Sequence, residues 1–138
     1  LTMPARPSTA VRVARPDEQE AVAAVLDAAM LRTDALDESL VREDVLVAVV
    51  EDRLLGALVL VPGGSDDARG PDGPHVDAVA VRPNRRGQGI GSALVESALA
   101  RCGPDERLTA AFDADVRPFY ASLGFDIEER EGRLFGVR

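Results

Sequence analysis

Gly87, Gly89 and Gly91 stand at alternate positions, directly after Arg85 and Arg86. Ile90, Ala93, Leu94 and Leu99 follow at helical spacing. Glycines at a helix entrance leave backbone N–H groups bare and let a ligand come close. Those groups and the helix dipole favour an anion, above all a phosphate. Ahead of the loop, β-branched Val79 and Val81 predict a strand. Pro83 ends it, having no N–H for the ladder. The spacing thus predicts a phosphate or pyrophosphate cradle at a strand-to-helix junction. The loop is not a dinucleotide fingerprint: read from Gly87 its last slot holds Ser92, and read from Gly89 it holds Leu94. The chain has no lysine, which excludes a P-loop.

Other reactive groups are few. His75 is the only histidine, and an ordinary imidazole suits a base at neutral pH. On a regular strand His75, Asp77, Val79 and Val81 share one face. Asp77 is a weak base unless burial raises its pKa, and its alternative role is to anchor an ammonium. The plainer reading of His75 is an exposed residue at a strand start, after Pro74. Cys102 reads as a small packing residue. Tyr120 lies one step round a helix from Phe119, so the two face different directions.

The positioning elements follow from pattern. Val11–Arg15 alternates as a first strand, and a helix starts at Pro16-Asp17-Glu18 with Val22, Val25 and Leu26 on its apolar face. A short second helix carries Leu36 and Leu40, with Thr33 or Asp34 as cap. Val45–Val50 and Leu54–Val61 form a hairpin about Glu51-Asp52-Arg53. The stretch 62–74 is rich in Gly, Pro and Asp and reads as a loop. Then come a strand at Val76–Val81, the helix from Gly89 to about Cys102, and a strand at Leu108–Phe112. A helix capped by Asp113 or Asp115 runs to Leu123, and two further strands begin at Phe125 and Arg133. The order βααβββαβαββ implies the α/β class, an α+β sandwich about a mixed, partly antiparallel sheet of six or seven strands.

The 138 residues suit one domain, with 1–9 as a disordered arm. A net charge of −8 argues against a broad nucleic-acid surface and suits a cationic partner or a solubilising acidic surface. No apolar run is long enough to span a membrane, so no membrane partner is expected. The single cysteine fits a cytoplasmic setting, and no metal is expected.

Two motifs carry a resemblance. Arg86-x-x-Gly89-x-Gly91, after a strand ending Val81-Arg82-Pro83, resembles the acetyl-CoA signature of the GNAT superfamily of N-acetyltransferases. Phe119-Tyr120-Ala121-Ser122-Leu123-Gly124-Phe125 looks like that superfamily's Phe-Tyr-x-x-x-Gly-Phe element, and the element order is also the same. The resemblance implies transfer of an acetyl group from acetyl-CoA directly to a primary amine. It implies that Val79, Ala80 and Val81 line the pantetheine arm and thioester. The amides of Arg86, Gly87, Gln88, Gly89, Ile90, Gly91 and Ser92 then hold the pyrophosphate. Tyr120 is the implied acid, and His75 or Asp77 the implied base, directly or through water. A non-catalytic acyl-CoA-binding or sensing module would use the same cradle. Relatives commonly form homodimers. Asp113 and Val116 depart from the Asn and Ala frequent in the family. The implied acceptor side, Val22–Leu40, the 62–74 loop and the Glu131-Gly132 turn, is acidic and points to a cationic acceptor.

Overall fold

The protein is described by a computed structural model that covers residues 9–29, 31, 34–63, 73–85, 89–130 and 132–138. In chain order the elements are β1 (Ala10–Val13), α1 (Gln19–Ala28), α2 (Leu36–Val41), β2 (Val45–Val50), β3 (Arg53–Gly63), β4 (Gly73–Val81), α3 (Ile90–Ala100), β5 (Thr109–Phe112), α4 (Arg117–Ser122), β6 (Asp126–Arg130) and β7 (Arg133–Val137). This is the expected order. The arm at 1–8, Thr33, most of the expected loop (64–72) and Glu131 lie outside the described residues.

The seven strands form one sheet in the order β1-β2-β3-β4-β5-β7-β6. β4 and β5 run parallel, and every other pairing is antiparallel. The run Val45-Leu46-Val47-Ala48 is apolar at every position because β2 is covered on both faces. Leu46 and Ala48 join the core under α3, with Leu58, Leu60, Leu94, Val95, Leu108, Ala110 and Phe112. Val45 and Val47 join the core under α1 and α2, with Val22, Val25, Ala57 and Val59.

Several local expectations change. β3 and β4 extend into the expected loop, where Pro62 faces Pro74 and Gly63 faces Gly73. Two prolines facing each other leave no N–H in search of a partner at that end of the ladder. Gly73 has φ +140, and a Cβ there would lie 2.2 Å from the Arg107 carbonyl oxygen, so only glycine fits. The expected residues do not stand at the helix N-caps: Ala35 occupies that of α2 and Val116 that of α4, neither with a side-chain cap bond, and the Asp113 carboxylate makes no capping bond. It lies 3.6 Å from Arg133 Nε instead.

The largest change is at β4. Val59 pairs with Ala78 and Leu60 with Val76, so Asp77 is an extra residue in the ladder. Such a bulge reverses the side-chain alternation beyond it. Val76 packs in the α3-side core; after the bulge Val79 and Val81 pack there too, while Ala78 and Ala80 turn to α1. The single face predicted for His75, Asp77, Val79 and Val81 is therefore not formed.

α3 lies close over β3 because Gly56 has no side chain. A Cβ there would sit 3.1 Å from the Ala80 carbonyl oxygen, from Ile90 Cγ2 and from Leu94 Cδ1. The Gly56→Ala variant is expected to lose about 1–3 kcal/mol by overpacking. Denaturant unfolding checks this, and an unchanged midpoint would contradict the close approach of α3 to the sheet.

Candidate active site

β4 and β5 meet through only two residue pairs, His75 with Thr109 and Val76 with Ala110. At the bulge they part. A cleft of about 700 Å³ fills the gap. Its walls include Val79 and Val81 from one face of β4 and Ala78 and Ala80 from the other, so it reaches both sides of the sheet.

At one end stands the start of α3. Gly89 occupies the N-cap with φ +83, and no side chain caps the helix. Among the described residues, and leaving aside its chain neighbours and the helix's own backbone, nothing lies within 4 Å of where a Gly89 Cβ would be. The first-turn N–H groups, including those of Gly91 and Ser92, have no intrahelical acceptor and carry the positive end of the helix dipole. Gly91 serves packing as well: a Cβ there would come within 3.2 Å of the Phe119 ring, which brings α3 and α4 together.

Tyr120 lies on α4 and is 4 % exposed. Its ring stacks on Phe112 at 4.1 Å between centroids and 16° between planes. Phe119 and Phe125 meet it edge-on at 5.0 and 5.2 Å. Gly136 makes room for this cluster, since a Cβ there would lie 3.0 Å from Phe112 and 3.2 Å from Phe125. Among the described residues nothing hydrogen-bonds the Tyr120 hydroxyl, and no buried polar side-chain atom lacks a partner. The hydroxyl therefore opens on the cleft that Tyr120 lines. Burial pushes its pKa up to about 12.

The other candidates separate. Asp77 lines the cleft, as do Val79, Ala80, Val81, Gly89, Ile90, Gly91 and Ser92. Arg86, Gly87 and Gln88 lie outside the described residues. His75 is not on the cleft wall. It is half-buried, with Nδ1 2.8 Å from Thr109 Oγ1 and its ring beside Phe135. Burial lowers its pKa, Asp77 opposes that shift, and Arg133 adds slightly to it. Phe112, Asp113, Asp115 and Arg133 also line the cleft. No motif marked them as wall residues, because the β5–β7 register that brings them there is tertiary.

Two covered sheet faces, a parted parallel strand pair and an uncapped helix start define the acetyltransferase class of α/β fold. A family model described as an acetyltransferase (GNAT) domain matches residues 41–127, more than half of the chain. The chain belongs to the GNAT family. It is 40 % identical over 80 residues to a mycothiol acetyltransferase of Mycolicibacterium vanbaalenii, a match covering 57 % of this chain and 25 % of that protein. A mycothiol acetyltransferase of Nocardia farcinica is 43 % identical over 68 residues, 49 % of this chain and 20 % of that one. The match thus spans a quarter or less of the length of these relatives. Among solved structures, Arabidopsis thaliana Naa50 in complex with a bisubstrate analogue has a TM-score of 0.75 at 18 % identity, covering 94 % of this chain and 97 % of that one. Ard1 from Thermoplasma volcanium has a TM-score of 0.72 at 20 % identity, covering 94 % and 95 %. At those identities the likeness is one of fold. Among the described residues no helix is long and apolar enough to cross a membrane.

Tyr120 is the only tyrosine and the chain has no tryptophan, so phenolate absorbance reports this residue alone. The folded protein is expected to titrate near 12, against about 10 once unfolded. Because folding raises the pKa, the stability this group contributes is lost as pH rises from about 10 towards 12. A folded midpoint near 10 would contradict the enclosed ring.

Proposed function

We propose that the protein is an N-acetyltransferase that passes the acetyl group of acetyl-CoA directly to a primary amine. The observation that carries this reading is the cleft through the sheet, with an uncapped helix start at one end and the Tyr120 hydroxyl inside it. The residues present fit such a donor. First-turn amides of α3 suit its pyrophosphate, and Gly89 leaves the approach open. Val79 and Val81 give an apolar wall, and among the described residues no strand pairs with the β5-facing edge of β4 beyond Val76. That edge offers backbone groups to amides of the pantetheine arm and N–H donors to a developing oxyanion. When bound, acetyl-CoA supplies an acetyl group activated as a thioester.

Tyr120 holds its proton at neutral pH and presents an O–H donor to sulfur in the cleft. A thiol has a pKa of roughly 8.5, so full transfer from a phenol near 12 is uphill by about 5 kcal/mol. Tyr120 therefore acts as a hydrogen-bond donor that steadies the departing sulfur, and the proton reaches it from solvent. His75 is neutral at pH 7, because burial holds its pKa below the usual imidazole value. Asp77, on the cleft wall, favours the protonated ring. Together they form a route for the amine proton, with Asp77 facing the amine and His75 behind it.

Titration calorimetry with acetyl-CoA is expected to show saturable one-to-one binding; no heat at high micromolar concentration would overturn the reading. Tyr120→Phe should lower kcat at least about tenfold while weakening acetyl-CoA binding far less. An unchanged kcat removes Tyr120 from the chemistry. For the proton route, the lowered His75 pKa keeps its base form available as pH falls. Loss of kcat on acidification is expected only below about pH 6.5, and His75→Gln should abolish that limb. A wild-type limb centred above pH 7 would contradict the buried neutral ring.

A further inference from the structure

Among the described residues the buried polar side chains are Ser39 and Thr109. Ser39 has a plain structural role: its hydroxyl donates to the Leu60 carbonyl at 2.7 Å and accepts from the Arg42 guanidinium at 3.1 Å. Thr109 has none of that kind. It is 4 % exposed on β5, a strand paired on both sides, with His75 opposite it on β4 and Val137 on β7. A valine would have the same shape, suit a strand as well and bring no hydroxyl to desolvate. Among the described residues the Thr109 hydroxyl has one partner, His75 Nδ1 at 2.8 Å. Val76 and Ala110, the next pair in the register, pack in the α3-side core. His75 and Thr109 therefore share the opposite face of the sheet. The Phe135 ring lies beside the imidazole there, 6.5 Å between centroids and 22° between planes. A hydrogen bond and an aromatic neighbour thus both restrain the His75 ring.

The hydrogen bond at one ring nitrogen decides what the other can do. A threonine oxygen can donate or accept. If Oγ1 donated to Nδ1, the neutral ring would carry its hydrogen on Nε2, with no lone pair left there. Protonation at Nδ1 would then set two donors against each other and break the bond. If Oγ1 accepts from Nδ1–H, the lone pair is on Nε2, and the same bond survives when the ring takes a proton. Only the second arrangement lets a restrained ring gain and lose a proton without turning. We infer that Thr109 is a positioning residue for His75: its oxygen accepts the Nδ1 hydrogen and makes Nε2 the nitrogen that exchanges the proton. The inference rests on the proton route proposed above, which needs a ring that charges and discharges in place. The proton arrives at Nε2 to give the imidazolium and leaves from the same atom. Burial opposes that charge most; Asp77 on β4 favours it, and Arg133 on β7 opposes it. The other groups at the ring, Thr109 and Phe135, are uncharged.

His75 is the only histidine, so the protein without a tag gives one imidazole signal in proton–nitrogen NMR. Above the pKa of the folded ring, the wild type is expected to show hydrogen on Nδ1 and a bare Nε2. Thr109→Val, checked for cooperative thermal unfolding, removes the acceptor. The hydrogen should then move towards Nε2, and the ring pKa should fall by about one unit, because the imidazolium loses a bond that the neutral ring can do without. Thr109→Ser keeps the oxygen and should restore both tautomer and pKa. A wild-type ring with its hydrogen on Nε2, a pKa that holds or rises in Thr109→Val, or a Thr109→Ser that behaves like Thr109→Val overturns the inference. If Thr109→Val does not unfold cooperatively, the wild-type tautomer and the Thr109→Ser titration decide. Thr109 is not on the cleft wall, so acetyl-CoA binding, measured by calorimetry on the same samples, is expected to be unchanged. If the wild type binds no acetyl-CoA, the acetyltransferase reading falls, whatever the tautomer.

Discussion

Two strands that run parallel for only two residue pairs determine most of what this molecule can do. β4 is held along its length by β3, and by β5 only at His75 and Val76. A fully paired parallel sheet would bury those backbone groups and leave no opening. Here Asp77 is inserted into β4 just where the pairing stops, and a bulge raises local twist and bends the strand. The opening runs through the sheet rather than into one of its faces.

The remaining structure steadies this gap. On one flank α3 is pressed on β3 over Gly56, which fixes its uncapped N-terminus beside the end of β4. On the other, Phe112, Phe119 and Phe125 enclose Tyr120, with Gly136 leaving room for two of the rings. An aromatic ring packed on three sides loses its rotamer freedom once, at folding. Its hydroxyl then stays at a fixed place in the cleft. The burial that fixes the ring also raises the pKa, so the precision of placement comes with a weaker acid.

Charge divides the cleft into two unlike halves. The α3 end supplies bare amides and a positive dipole end, while the β5–β7 side supplies carboxylates. An anion is thereby favoured at the α3 end over the carboxylate side.

Local signals in the chain determined a good deal by themselves. The order of eleven helices and strands, the helix start at Gly89 and the Tyr120 element were legible because each depends on neighbours within a few residues. Periodicity, glycine placement and proline breaks act at that range. The face of each β4 residue was not legible, because the bulge at Asp77 is defined only against the partner residues Val59 and Leu60. Nor was the Phe112–Tyr120 stack, which depends on how β5 and α4 pack. The meeting of Asp113 with Arg133 required the β5–β7 register across 20 residues of chain. His75 looked like a cleft residue under strict alternation, yet the fold seats it behind the wall against Thr109 and Phe135. The chain alone thus specified which elements form and where a helix begins uncapped. Tertiary pairing decided which side chains face one another across the gap, since strand register is a relation between distant segments that no single segment contains.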